Sequence, residues 1–368
     1  MKAFLFFFLS LFTAYNLRAD DYLLKGNVGK YPVVFDLFMS GNQIEATYFY
    51  TSTCIDIVLK GKRTNDGVVL YAGTDDTTET WRLTENANKS WTGKWTGKKG
   101  KMYDIVLAPL DMTTIKTPYD RLPVARELKT SSQYNYARLA HLPIVKDTLT
   151  IKNGKYSLRY YHLKNADINM FEITGGLDKV VAAKVNDLLL NKFLENAWNY
   201  CGCTGSDTPD YQYDIDNVYL SENVLSVNIV VEYYCNQAAH PDGGNDPITI
   251  DLKTGKPLVL EDILSLASGP VPSEQSDKWG AYRDRIYGPK LLALMKKLYP
   301  NQLATSEECN YSESEVWQYA KWYISNKGLY ISPTFPHAQG PCKMPDWSYI
   351  SFEELKKHKN PTKHITLP

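Results

Sequence analysis

The sequence predicts a mainly β N-terminal domain, a meander barrel or a sandwich, followed by an α+β domain with an antiparallel sheet. Residues 22–110 form short alternating segments separated by turn residues, which is typical of consecutive antiparallel strands. From residue 156 onwards, strands are interspersed with helical apolar patterns, without the regular alternation of a parallel sheet. The chain has 368 residues, of which 43% are hydrophobic, so it can form more than one packed core.

The first 19 residues have the pattern of a signal peptide. Lys2 supplies a positive charge, and residues 3–14 form an apolar run shorter than the roughly 20 residues that span a bilayer. We expect cleavage after Ala19; a buried core helix is the alternative, but no amphipathic pattern accompanies the run. No later apolar run is long enough for a membrane span, so we expect a periplasmic or secreted protein without one after signal removal.

The charge balance bears on the class of partner. The chain carries 41 basic and 41 acidic residues, so its formal net charge is zero. Nucleic acids and anionic membrane surfaces are usually bound through a basic excess. The composition therefore argues against both as partners.

The N-terminal β domain is predicted to occupy residues 20–110. Asp66-Gly67 is a hairpin signal of the type I′ turn, and other turn residues recur at short intervals. The predicted strands are residues 31–39, 43–50, 55–60, 68–72, 80–83, 91–95 and 103–108. Strands at this spacing favour an up-and-down meander, closed into a small barrel or folded as a sandwich.

Trp91 and Trp95 lie on one face of the predicted strand 91–95, since alternate residues point the same way. We interpret them as core aromatics in preference to a sugar-stacking platform. Four lysines follow closely, and we interpret them as a solvated hairpin tip and not as an anion site: Lys94, Lys98, Lys99 and Lys101.

Residues 111–154 are predicted to connect the two domains, because prolines interrupt a weak helical pattern there. The α+β domain is predicted over residues 155–368. Its clearest helix is 177–198, in which Val185, Leu189 and Phe193 recur on one face. The other predicted elements are strands 157–162, 211–220, 224–234 and 248–252, a helix at 290–299, a hairpin of 322–325 with 329–332, and a capping box at 351–354.

The six cysteines are Cys54, Cys201, Cys203, Cys235, Cys309 and Cys342. An even number in an exported chain indicates disulfides. We expect Cys309 to pair with Cys342 across a hairpin, and Cys235 to pair with Cys201 or Cys203. A zinc site at Cys201-Gly202-Cys203 is disfavoured, because the CxxC-type spacing and nearby histidines are missing.

Candidate ligand-binding residues lie in the polar loop after Cys235: His240, Asp242, Asn236 and Gln237. An imidazole two residues from a carboxylate could serve acid–base chemistry or bind a metal. No third partner is evident, however, and the chain has no serine nucleophile elbow, phosphate loop or HExxH motif. We therefore predict a binding loop, with no catalytic residues, no metal and no cofactor.

The same region carries a family resemblance. The chain has YCNQAAHP at residues 234–241, TGK at 254–256, LED at 260–262, GLY at 328–330 and a Pro/Ala/Gly-rich stretch at 333–340. With the helix from residue 177, these resemble the extracytoplasmic module of RsiV-type anti-sigma factors and the non-catalytic region of PdaC-type peptidoglycan deacetylases. The resemblance covers about residues 155–358. It departs from the family at Asn236 and Gln237, where the family has a glycine pair.

The resemblance implies an α+β module without known catalytic residues, and in RsiV-type members it implies binding of lysozyme. Neither transmembrane signalling nor deacetylation is implied, because the corresponding segments are not part of this sequence. Our leading hypothesis is an exported non-catalytic protein that binds a lysozyme-like hydrolase or cell-wall glycan. The alternative is an envelope polysaccharide-active enzyme with unidentified acidic residues.

Overall fold

The computed structural model describes residues 20–72, 79–164, 166–203, 210–235, 240–274, 276–303, 308–363 and 365–368. The chain divides into two compact units. The first comprises Met1–Thr51 and Ile57–Thr114, and the second comprises Ser52–Asp56 and Ile115–Pro368. The predicted signal peptide, residues 1–19, lies outside the described residues and stays a prediction.

The first unit is a closed barrel of antiparallel strands in sequence order, which confirms a mainly β N-terminal fold and identifies it as a barrel. The barrel closes where β1 pairs with β8, with Val28 opposite Ile105. Its strands are β1 Asp20–Val28, β2 Tyr31–Ser40, β3 Gln43–Tyr50, β4 Asp56–Thr64, β5 Gly67–Ala72, β6 Glu79–Glu85, β7 Trp91–Gly97 and β8 Met102–Pro109. The sequence patterns predicted all of these strands except β1.

Alternate side chains of each strand fill the barrel, as the two-residue period of a strand requires. The ring centroids of Phe35 and Trp81 lie 5.0 Å apart in this core. Trp91 is only 1% exposed, so its interpretation as a core residue is confirmed. Trp95 is half-buried and stacks on Tyr103 at 5.5 Å.

The second unit combines helices with three antiparallel sheets, which confirms the predicted α+β class. Within the described residues its helices are α1 Pro123–Ser131, α2 Gln133–Leu139, α3 Lys179–Gly202, α4 Leu260–Ile263, α5 Lys278–Tyr282, α6 Gly288–Leu298, α7 Glu315–Gln318 and α8 Phe352–Lys357. A π-helical turn, Arg283–Tyr287, joins α5 to α6, and a 3-10 segment spans His337–Lys343.

The strands of the second unit fall into a four-stranded, a five-stranded and a three-stranded sheet. The first contains β9 Ile144–Lys146, β10 Ile151–Asn153, β11 Tyr156–Leu163 and β12 Asn169–Gly175. The second contains β13 Asp210–Leu220, β14 Val224–Tyr234, β15 Asp242–Asn245, β16 Ile248–Asp251 and β17 Lys256–Pro257. The third contains β18 Lys321–Ser325, β19 Gly328–Ser332 and β20 Tyr349–Ile350.

Helix α3 forms where its apolar stripe and its cap coincide. Asp178 accepts hydrogen bonds from the backbone N–H of Val180 and of Val181, which satisfies two donors at the helix start. Leu189 and Phe193 are fully buried on its inner face. The helix is slightly longer than predicted, because it continues to Gly202.

The five-stranded and three-stranded sheets are joined by hydrogen bonds between polar side chains of the first sheet and the backbone of the second. The backbone N–H of Ile324 donates to Ser226 Oγ at 2.9 Å, and Asn217 Nδ2 donates to the Ile324 carbonyl at 2.8 Å. Ser226 is fully buried, so this bond satisfies a hydroxyl that burial would otherwise penalise. Strand β15 belongs to the first of these sheets, and the 3-10 segment His337–Lys343 lies between β19 and β20 of the second.

Residues 115–154 belong to the second unit, where they form α1, α2, β9 and β10. Within the part of the chain that the structure describes, no helix combines the length and the apolarity needed to cross a membrane.

Disulfide bonds join Cys309 to Cys342 and Cys203 to Cys235. Of the two partners that the sequence left open for Cys235, the structure therefore selects Cys203. The prediction that included Cys201 in this bond is wrong: Cys201 lies instead beside Cys54, and neither is in a disulfide in the structure. The spacing could not separate two cysteines that are one residue apart.

Replacing Cys309 and Cys342 together by serine is expected to lower the free energy of unfolding by about 2–4 kcal/mol, because the bond restricts the unfolded chain. Chemical denaturation of both proteins measures the loss. The Cys203→Ser/Cys235→Ser variant is a matched control, since the two bonds span sequence separations of 33 and 32 residues. An unchanged unfolding midpoint for the Cys309/Cys342 variant would contradict a stabilising role.

Candidate functional site

A groove in the second unit contains both described members of the predicted binding loop. It lies where β14, β15 and the 3-10 segment His337–Lys343 meet, and its cavity volume is about 620 Å³. Its lining includes four side chains with aromatic or imidazole rings: Tyr233, Tyr234, His240 and His337. Asn236 and Gln237, which were also predicted to bind ligand, lie outside the described residues.

Strand β15 positions the carboxylate of the groove. The sequence predicted a loop here, whereas Asp242–Asn245 pairs along β14, with Asp242 opposite Tyr233 and Gly243 opposite Glu232. A Cβ on Gly243 would lie 2.5 Å from the carbonyl oxygen of Val231, so the strands can approach this closely only with glycine there. The Gly-Gly pair therefore allows a short strand where its composition suggested a turn.

The groove has two walls, one formed by β14 and β15 and the other by the segment His337–Lys343. Asp242 connects these two walls. Lys343 Nζ lies 2.5 Å from its Oδ1, and the hydroxyl of Tyr233 donates to its Oδ2 at 3.2 Å. His337 Nδ1 also contacts Oδ2. The side chains of Asp242 and Lys343 are each only 13% exposed, so solvent screens their interaction less than that of a surface pair.

The electrostatics of the groove keep Asp242 charged. Burial raises the pKa of this carboxyl. Two hydrogen bonds, from Lys343 and from the Gly243 backbone, and the charges of Lys343 and His337 lower the pKa by more than burial raises it. The net effect holds the pKa of Asp242 below its ordinary value. Burial, with the adjacent Asp242 charge, raises the pKa of Tyr233, so this hydroxyl remains a hydrogen-bond donor.

The two histidines lie next to each other at the mouth of the groove. Their ring centroids are 6.0 Å apart, and the side chain of His337 is 65% exposed. His240 Nδ1 lies 3.1 Å from the carbonyl oxygen of Pro241; because a carbonyl accepts, this nitrogen is the donor. Tyr234, the last residue of β14, is 47% exposed. These groups are positioned to contact a ligand.

Both walls are covalently attached to the rest of the second unit. Cys235 follows β14 directly and is bonded to Cys203, just after α3. Cys342 lies inside the segment that carries His337 and Lys343, and it is bonded to Cys309. The residues that line the groove are therefore held on anchored backbone.

The sequence indicated His240 and Asp242, and the structure places both in the groove. It did not indicate His337 or Lys343, which are about a hundred residues from Asp242 along the chain; for Lys343 the separation is 101. The predicted Cys309–Cys342 disulfide was the available signal, since it marked the surrounding segment as fixed. Among the residues described, no group of three or more His, Cys, Asp or Glu side chains could hold a metal ion.

No protein-family model matches the chain. A search of curated proteins likewise gives no significant match. What the groove can bind or catalyse must therefore be argued from its own residues.

Replacing Asp242 by asparagine is expected to flatten the pH dependence of stability in acid. The ordinary pKa of an aspartate is about 4, and the pKa of Asp242 in the folded protein lies below it. As the pH falls through the interval between these two pKa values, the unfolded chain therefore binds more protons than the folded protein. The stabilising contribution is thus present at neutral pH and is lost as pH decreases below about 5.

Urea denaturation at several pH values between about 7 and 3 measures this effect. The wild-type free energy of unfolding should fall more steeply than that of Asp242→Asn. Asp104→Asn is a suitable control, because its carboxylate is 74% exposed and pairs with the exposed Lys94 on the barrel. Equal slopes for wild type and Asp242→Asn would contradict the electrostatic role described here.

Proposed function

We propose that this chain is an exported, non-catalytic binding protein, and that the groove of its second unit captures a lysozyme-like hydrolase. The observation that carries the proposal is the Asp242 network, which joins two disulfide-anchored walls and leaves His240, His337 and Tyr234 facing outwards. A surface fixed before binding loses less conformational entropy when it docks.

The state of Asp242 supports binding over glycoside hydrolysis. A hydrolase of this kind uses a carboxylic acid with a raised pKa to protonate the leaving group. The pKa of Asp242 is lowered, and its two oxygens are occupied by Lys343, Tyr233 and His337. This carboxylate is suited to holding the groove in shape.

The choice of a protein ligand rests on the family resemblance and on the chemistry of the groove. The stretch from residue 235 to 262 resembles the module of RsiV-type anti-sigma factors, which bind lysozyme. Tyrosine is enriched at protein interfaces, and Tyr233 and Tyr234 both line the groove. Export to the periplasm or the medium follows from the N-terminal pattern and is supported by the two disulfides, which are typical of oxidising compartments.

Peptidoglycan turnover, measured with and without a lysozyme-type hydrolase, tests the proposal. We expect the protein alone to release no soluble fragments, and we expect it to inhibit the added hydrolase in proportion to its concentration. Co-sedimentation with insoluble peptidoglycan without inhibition would instead identify cell-wall glycan as the ligand. Release of fragments by the protein alone would establish the enzyme alternative.

Substituting His240 or His337 by alanine is expected to weaken binding of the hydrolase about 5- to 30-fold, which corresponds to about 1–2 kcal/mol for each contact residue. Calorimetric titration measures the affinity, and circular dichroism verifies that the fold is retained. His162→Ala is a matched control, because this histidine lies on β11 and does not line the groove. Unchanged affinity in both groove variants would exclude this groove as the binding surface.

A further inference from the structure

Cys54 and Cys201 lie closer together than two free thiols should. Both side chains are fully buried, and their Sγ atoms are 2.8 Å apart. Non-bonded carbon atoms reach their optimal separation at about 3.5–4.0 Å, and sulfur is larger than carbon. We propose that Cys54 and Cys201 form a third disulfide in the mature protein, so that all six cysteines are paired.

The surrounding side chains hold the two cysteines together independently of any bond between the sulfurs. Asp56, two residues after Cys54, accepts from the Tyr134 hydroxyl at 2.7 Å and forms an ion pair with the fully buried Arg138. Arg138 Nη1 in turn donates to the carbonyl of Trp198, at 3.4 Å, three residues before Cys201 on α3. The network thus holds the two backbone segments that carry Cys54 and Cys201 close to each other.

The backbone at Cys54 is consistent with a role for its sulfur. Its φ of 56° lies in the left-handed region, which is unfavourable for a residue with a Cβ. A glycine would adopt this conformation without that cost. A covalent bond from the side chain would offset the cost and keep Ser52–Asp56 in place.

Oxidation must occur before this region closes. Burial raises the pKa of the Cys201 thiol, and the contact with Cys54 raises it further, so the folded protein would contain little of the reactive thiolate. We therefore place bond formation during folding, while water and an oxidant still reach the segment. The oxidant is a disulfide of the export compartment, either a small molecule or an oxidoreductase.

The exchange is balanced in two steps. One protein thiolate attacks a sulfur of the oxidant, which forms a mixed disulfide and releases one oxidant thiolate that takes up a proton. The second protein cysteine, after losing its proton, attacks the protein sulfur of the mixed disulfide and releases the second oxidant thiol. In total, two protein thiols lose two electrons, and one oxidant disulfide is reduced to two thiols.

The bond would give the end of α3 two covalent links. Cys203 is bonded to Cys235, which adjoins the groove, and Cys201 would be bonded to Cys54 across a sequence separation of 147 residues. Because only Gly202 separates Cys201 from Cys203, one short stretch would attach two distant segments of the second unit.

Thiol counting on the exported full-length protein tests the proposal. The protein is unfolded in guanidinium chloride with an alkylating agent and no reductant, and its intact mass is measured. We expect no alkylated cysteine in the wild type and one in Cys54→Ser, located at Cys201. Two alkylated thiols in the wild type, at Cys54 and Cys201, would overturn the proposal.

Peptide mapping identifies the partner. Cys201 and Cys203 fall in the same proteolytic fragment, so the map is made on Cys203→Ser/Cys235→Ser, in which Cys201 can no longer form the alternative bond to Cys235. We expect a link between the Cys54 and Cys201 peptides that persists in denaturant and disappears when dithiothreitol is added. If this variant is not exported, fragmentation of the linked wild-type peptides assigns the same bond, and a Cys201–Cys235 link there would overturn the proposal.

Discussion

The groove depends on the carboxylate of Asp242, because this group joins strand β15 to the segment His337–Lys343. Hydrogen bonding along β14 alone would fix only one wall of the groove. The contacts of Asp242 with Lys343 and His337 bring the second wall to the first. Each wall is also attached by its own disulfide, so neither can move far without carrying the anchored chain with it.

Other ion pairs of the second unit show how burial decides the state of a carboxylate. Burial raises the pKa of Asp56 beside Arg138, and of Glu261 beside Arg283, although each arginine acts in the opposite direction. Asp242 has the opposite net shift, because hydrogen bonds and two neighbouring groups outweigh its desolvation. The Asp56–Arg138 and Glu261–Arg283 pairs are therefore costly to bury. Removing one partner of either pair would leave the other as an unpaired buried charge. Asp242 is exposed to a similar small extent as Asp56, but its lowered pKa keeps this carboxylate charged.

Local patterns predicted most strands and the long helix, because their signal is complete within a few residues. Strand β3 was predicted with the bounds that the structure has, 43–50, and α3 from a four-residue apolar repeat. Strand β1 was missed, since Asp20–Val28 mixes charged residues with an adjacent leucine pair and lacks strict alternation. Barrel closure depends on β1 meeting β8, a contact between the ends of the domain that no local pattern specifies.

The site was predicted only in part for the same physical reason. His240 and Asp242 share one loop-like stretch, so their chemistry could be considered together, whereas Lys343 reaches Asp242 across 101 residues. The Gly243-Gly244 pair suggested a turn, yet the missing side chain of Gly243 is what allows β15 to approach β14. Local composition therefore identified which residues carry chemistry, but the partners that set their charge come from elsewhere in the fold. Because the groove is assembled by such long-range links, its shape depends on the Asp242–Lys343 ion pair and on the two disulfides that hold its walls.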